Sequence, residues 1–416
     1  MRNPNPSRLL VTSTLLILLF FLLVLLLVVV LYFVGPPRQT YTSPVSPVPD
    51  FYVQSNEPAI NILMPGWNKA LTGGPLSILQ VASRMSQHGI PVRILNVMDT
   101  PTTGREVKTL LSKYNLEPLV HHAEFVEYED RDRVHYSDKD MFMATLYTTV
   151  PIASSMQKKL NSKPILYMIQ DCEPFFFAHN SESAKAYASY DVPHIPIFNS
   201  WLLQRYFQHQ KLSVYSGLWG SFPAYTYFPE YSSTADPVLM QKKKGQKKNF
   251  IVYGRPHIDR NAYAFTMQCL EQAVQQHKID PSQWNFYNVG GSGDSPKGLR
   301  IQNLSHIDGE AYLKLLTTGD IGLSLMMSPH PSLPPFDFAS AGMLVVTNSL
   351  FERTPEDYEK VSQNFFVGRT SVDALVEQLA MAIAKVDDVD FRIQGSYLNL
   401  PSHSIDYRQV KKQLEA

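Results

Sequence analysis

The sequence predicts two α/β lobes, each a doubly wound parallel sheet, preceded by one membrane-spanning helix. Three observations predict this: an uncharged apolar run at residues 9–34, a strand, glycine turn, helix, strand order beginning at residue 60, and the same order restarting at residue 249. At 416 residues with 44% hydrophobic content the chain has enough apolar material for two cores.

Residues 9–34 are dominated by Leu, Val and Phe. At 1.5 Å per residue such a run crosses a hydrocarbon core as a helix. A cleaved signal peptide is the alternative, but the run is long for that and no small-x-small cleavage site closes it. Arg2 and Arg8 precede the run and Arg38 follows it, so a short tail at 1–8 is expected on the cytoplasmic side, with the lobes beyond the membrane. Residues 35–57 are rich in Pro and Ser and predict an extended stem. The expectation is a single-pass membrane protein, of the type II Golgi or ER kind in a eukaryote.

The first lobe is expected over 58–230. INILMPGW (60–67) reads as a buried strand, residues 73–89 as a helix, and PVRILNVM (91–98) as the next strand. MFMATLYTT (141–149), KPILYMIQD (163–171) and IPIFNS (195–200) supply further strands, with a helix from Trp201. Residues 231–248 turn polar and lysine-rich and predict a solvated linker. The second lobe is expected over 249–416, with strands at 249–253, 284–291, 321–327 and 343–348, and with a C-terminal helix. Between two such lobes lies a cleft, and ligands of these folds sit beyond the carboxyl ends of the strands.

Composition narrows the function. Lys plus Arg (37) balances Asp plus Glu (37), so no nucleic-acid partner is indicated. With two cysteines, Cys172 and Cys269, the chain holds neither a disulfide-dense scaffold nor an all-cysteine zinc site; both are expected as buried thiols. No G-x-G-x-x-G follows the first strand, which disfavours a dinucleotide-dependent epimerase or dehydrogenase.

Four motifs carry chemistry. Gly73-Gly74-Pro75 opens a helix where absent side chains let a ligand approach the backbone and a phosphate meet the helix N-terminus, although a tight turn explains the same residues. In QDCEPFFF (170–177), Asp171 and Glu173 leave a strand end, where carboxylates bond sugar hydroxyls, take a proton from an acceptor, or cap turns. Arg255, within YGRP (253–256), ends the first strand of the second lobe; a guanidinium there grips a diphosphate bidentately or forms a surface ion pair. Residues 328–337, SPHPSLPPFD, bring Asp337 to the first turn of a helix, where it accepts both hydroxyls of a ribose or stabilises the helix dipole.

The stretches GGPLSI, YMIQDCEPFFF, VYGRPHIDRNAY and SLMMSPHPSLPPFDFASAGMLVVTN resemble the family 4 glycosyltransferases of GT-B fold, and within them bacterial rhamnosyltransferases of rhamnan and S-layer glycan synthesis. The resemblance spans about 60–385. It implies two Rossmann-like lobes, a nucleoside-diphosphate sugar as donor, a glycan or glycoconjugate acceptor on the N-terminal side, no cofactor or metal, and retention of anomeric configuration. By the same resemblance Arg255 matches the diphosphate arginine, Asp337 the helix-start acid that binds ribose, Gly73 and Gly74 the glycine loop facing the donor, and Asp171 and Glu173 a Q-D-x-E-P element. The sequence departs from the family at Pro329, where a second glutamate is common, at His306, where a lysine is expected, and at Leu333, where close relatives have tyrosine. His306 and His330 are therefore expected to assist Arg255 at the donor. An inactive carbohydrate-binding or scaffold protein on the same fold is the alternative.

Overall fold

Strands such as INILM and ILYMI are buried at every position, the pattern of a parallel sheet covered by helices on both faces. The computed structural model describes residues 52, 53, 55, 57–67, 73–220, 222–243, 245–305, 307 and 309–416, which all fall in one compact unit, Pro47–Ala416. The apolar run at 9–34 lies outside the described residues. Among those described, no helix is long and apolar enough to cross a membrane.

In the N-terminal lobe the strands are β1 (Ile60–Met64), β2 (Val92–Asn96), β3 (Ala123–Val126), β4 (Met141–Ala144), β5 (Ile165–Ile169), β6 (His194–Phe198) and β7 (Tyr225–Thr226). All pair in parallel, in the order β3-β2-β1-β4-β5-β6-β7. The C-terminal lobe has β8 (Lys248–Tyr253), β9 (Trp284–Val289), β10 (Ile301–Leu304), β11 (Ile321–Leu323), β12 (Leu344–Ser349) and β13 (Phe365–Arg369), in the order β10-β9-β8-β11-β12-β13 and again all parallel. Six strands of each sheet thus share one doubly wound order. Its reversal, between β1 and β4 in one lobe and between β8 and β11 in the other, opens a crevice at the strands' carboxyl ends.

Helices cover the sheets with periodic apolar faces. Helix α1 (Gly74–Gln87) starts at a proline-bearing turn and buries Ile78, Leu79, Val81, Ala82 and Met85. Helices α2 (Val150–Leu160) and α3 (Trp201–Gln210) complete the first lobe; α4 (Tyr263–Gln275), α5 (Pro334–Ser340) and α6 (Val372–Lys385) cover the second.

Three expected boundaries are corrected. The last helix, α7 (Tyr407–Glu415), does not close the second lobe: Tyr407, Val410 and Leu414 join the core of the first, and Tyr407 stacks on His88 with centroids 4.5 Å apart. The chain therefore crosses between lobes twice, and where it does so Thr226 and Ser404 exchange backbone and side-chain hydrogen bonds. The end of the expected stem is not free chain, since Tyr52–Val53 forms a strand parallel to His135–Tyr136. Nor is the lysine-rich linker wholly solvated: Lys242 is half-buried and pairs with the buried Asp320 at 3.2 Å, and Lys248, where β8 begins, pairs with Asp387.

Candidate active site between the lobes

The chain must leave β8 sharply, and Gly254 permits it, because a Cβ there would stand 2.5 Å from Asn288 Oδ1. Arg255 follows. Its aliphatic stem lies over the next strand-end turn, where Gly290 has φ +99° and a Cβ would meet Arg255 Cγ at 2.8 Å. Asn303 holds that turn by accepting from Gly293 N and donating to Gly293 O. Among the described residues the guanidinium of Arg255 has neither an ion pair nor a hydrogen bond, while its carbonyl accepts from Ile258 N at 2.9 Å, and the residue is half-buried at the sheet's reversal point. A guanidinium so placed can grip an anion bidentately.

A second arginine, which follows YGRP in the same strand-to-helix connection but was given no role at the site, stands next to it. Arg260 lies in the turn before α4, with its guanidinium 4.2 Å above the ring of Phe176 and Nε 3.7 Å from Asp171 Oδ2. Burial draws it below the usual arginine range; Asp171 opposes that and the neighbouring charge of Arg255 adds to it. The signal for it was available: a second arginine in the same strand-to-helix connection.

Asp171 reaches the cleft from the end of β5. Its Oδ2 accepts from Ser328 Oγ at 2.8 Å and its Oδ1 from Cys172 N, so one carboxylate ties the first lobe to both Ser328 and Arg260 of the second. Glu173, two residues on, turns inward and is fully buried, accepting from the backbone N–H of Tyr147 and from the hydroxyl of Tyr167. Burial pushes its carboxyl up to about 8, against the pull of the Tyr147 amide. Glu173 is thus a positioning residue behind the cleft, a correction to its expected contact with a reacting group.

Gly73, φ +54°, is the uncapped start of α1, and among the described residues a Cβ there would meet nothing within 4 Å. Gly74 is needed for a different reason: its missing side chain is replaced by the amide of Gln170, which donates to Thr145 O at 2.8 Å. The glycine turn and the Q-D element are therefore one local assembly.

His330 is buried. Nδ1 accepts from Ser332 N at 3.0 Å, which assigns the proton to Nε2, donated to Asn199 O of the first lobe at 3.2 Å. Burial lowers its pKa, so the ring is neutral, and its expected help as a cation is corrected to that of a neutral tie between lobes. His306 lies outside the described residues. Asp337, in the first turn of α5, accepts from the hydroxyl of Tyr312 at 3.2 Å, with Tyr231 also near, and burial pushes it up to about 6. The structure thus gathers Arg255, Arg260, Asp171, Ser328 and His330 at the lobe interface. Among the described residues no group of His, Cys, Asp or Glu is placed to hold a metal ion.

Away from these residues the lobes are pinned by Arg205 Nη1 to Asp357 Oδ1 at 2.9 Å, and by Phe351, packed against Phe175 and Tyr206 with centroids 5.3 Å apart in each pair.

Two parallel lobes of one strand order, facing each other across their carboxyl edges, define the GT-B fold of glycosyltransferases. Solved structures agree. Alr3699/HepE of Anabaena, in complex with UDP and glucose, matches with TM-score 0.53 at 14% identity over 86% of this chain and 98% of that one. TarM gives 0.59 at 7% identity over 86% and 95%. WaaG, described as a glycosyltransferase involved in lipopolysaccharide biosynthesis, gives 0.50 at 11% identity over 85% and 98%. The chain belongs to the WsaF family, whose N-terminal domain matches residues 59–201 and whose C-terminal domain matches 248–380. The O-antigen biosynthesis protein RfbC of Myxococcus xanthus is 29% identical over 185 residues, which is 44% of this chain and 14% of that protein's length.

Proposed function

We propose that the chain is a glycosyltransferase that moves a sugar from a nucleoside diphosphate to a glycan acceptor. The observation that carries the reading is the guanidinium of Arg255 on the Gly290 turn, without a partner among the described residues, with Arg260 beside it. Two cations at a strand-end crevice fit a diphosphate and stabilise the charge that grows on it as the glycosidic bond breaks. The HepE structures with UDP and with UDP-glucose support a nucleotide-sugar donor in the same fold. Asp337 is read as the ribose contact and Gly73 as the point of closest backbone approach. No metal is invoked, since side chains supply the positive charge. Family 4 membership, rhamnose as donor sugar and retention of configuration complete the proposal.

Turnover of a panel of UDP-, GDP- and dTDP-sugars, dTDP-rhamnose included, tests it: release of nucleotide from none of them refutes the reading, and binding without turnover leaves the inactive alternative. We also propose single-pass attachment through residues 9–34, with the lobes on the side opposite a cytoplasmic N-terminus. The full chain should resist carbonate extraction and a chain beginning at Asp50 should not; retention of the shortened form with membranes refutes the anchor.

A further inference from the structure

The segment that carries Asp171 continues into three phenylalanines. Phe175 packs on Tyr206 and Phe351, and all three phenylalanines are half-buried. Phe177 meets the edge of Tyr147, with centroids 5.6 Å apart and planes at 74°, and Phe176 lies 6.3 Å from Phe177. Tyr147, Phe177 and Phe176 thus form one row of rings, which ends under the guanidinium of Arg260 and beside Asp171.

Arg260 covers one face of Phe176, and the ring surface that stays open to water costs free energy until a ligand covers it. The fold holds the rings in place. The buried carboxyl of Glu173 accepts from the Tyr147 backbone, while its own N–H donates to the Tyr190 hydroxyl, so one residue fixes both segments that bring the rings together. The rim is polar: the Tyr147 hydroxyl donates to Glu182 Oε2 at 2.9 Å, and Glu182 Oε1 pairs with Lys185 Nζ at 2.6 Å.

We infer that this row is the acceptor subsite, a platform for the apolar face of a pyranose whose hydroxyls reach the Tyr147 and Glu182 rim; the inference rests on the transferase reading given above. Two features favour a sugar over the nucleotide. The row lies on the lobe opposite Arg255, and its rim carries the carboxylate oxygens of Glu182, paired with Lys185, and of Asp171, paired with Arg260, which can accept hydrogen bonds from hydroxyls but offer none to a phosphate. A pyranose presents C–H bonds on one face and hydroxyls around its edge. The C–H face suits the negative face of an aromatic ring, and the edge suits the carboxylates. Continuity with Asp171 puts the far end of such an acceptor beside the donor cations.

Saturation-transfer NMR of the lobes with methyl α-L-rhamnopyranoside and methyl β-D-galactopyranoside, without nucleotide, tests the platform. Saturation of one face of a pyranoside by wild type, lost in Phe177→Ala and weakened in Tyr147→Phe, is the expected result. With a transferable acceptor, Phe177→Ala should raise the acceptor KM about tenfold, with donor KM unchanged. Calorimetry with UDP, GDP and dTDP on the same variants shows that the fold survives and separates the two claims, because absent nucleotide binding would sink the donor reading without touching the NMR result. No saturation by wild type, or equal saturation by Phe177→Ala, overturns the platform.

Discussion

In the N-terminal lobe the amide of Gln170 fills the space above Gly74, and in the C-terminal lobe the stem of Arg255 fills the space above Gly290. Gly74 opens helix α1 and Gly290 stands in the turn after β9, and each is covered by a polar side chain from the end of another strand of its sheet. The difference lies in what the side chain has left to give. Gln170 spends its amide on Thr145 O, whereas the guanidinium of Arg255 has no partner among the described residues. One assembly is closed; the other keeps the group proposed to meet the diphosphate.

That contrast makes its strongest claim at Arg255. Arg255→Ala should lower turnover about a hundredfold, on the order of 3 kcal/mol for one preorganised stabiliser of a departing anion, with an unchanged melting temperature. Arg255→Lys should recover part of the loss, because a point charge keeps the field but not the bidentate grip. If turnover with saturating donor stayed near normal, or fell only in step with thermal stability, Arg255 would be a surface cation and the contrast would fail.

The glycines should break in opposite ways. Gly74→Ala drives a methyl into Gln170 and should cost about 1–3 kcal/mol of stability, seen as a lowered melting temperature with little change in turnover per folded molecule. Gly290→Ala adds a side chain at φ +99° and pushes the stem of Arg255 aside, so activity should fall further than stability explains. Equal ratios of activity to stability in the two variants would erase the distinction between the turns.

Much of this plan could be read from residues alone, and the misreadings have physical causes. Central strands are continuous apolar runs because both faces are covered, so INILM and ILYMI declare themselves. Edge strands do not: Ala123–Val126 exposes Glu124, and Ile301–Leu304 exposes Gln302 and Asn303, which breaks the apolar pattern. Helix α7 has a clear apolar face, but its partner is the core around His88 and Met85, a pairing that no local pattern encodes. Asp171 and Glu173 look equivalent at a strand end. Only the tyrosines at 147, 167 and 190, distant in sequence, decide that the first meets the cleft and the second is sealed.

Asp337 offers a smaller effect that sharpens the same division. Its carboxyl is pushed up to about 6 by burial, so its ionised fraction falls as pH drops through that value. A ribose contact needs the ionised, accepting form; donor KM should therefore rise below about pH 6, and Asp337→Asn should remove that dependence while raising donor KM about tenfold at pH 7. Turnover should move less than KM, as expected for a contact remote from the bond being broken. An unchanged donor KM in Asp337→Asn would assign the residue to its tyrosine partners alone.

The least disruptive substitution is Glu173→Gln, and its outcome depends on the sign of a linkage. The carboxyl titrates from its ordinary 4.5 when unfolded and at about 8 when folded, so between those values the folded state holds a proton that the unfolded state has released. Folding stability should consequently be fullest below about 4.5, fall as pH rises, and level off above about 8. Glutamine has nearly the shape of the protonated acid and keeps an oxygen to accept from Tyr147, so it should fold and turn over at pH 7 much as wild type does. Its melting temperature should decline less steeply across that window. If Glu173 instead acted on the substrate as a carboxylate, Glu173→Gln would lose turnover with its thermal profile unchanged, and the inward-facing position assigned to it behind Tyr147 would be the wrong account of why the element carries two acids.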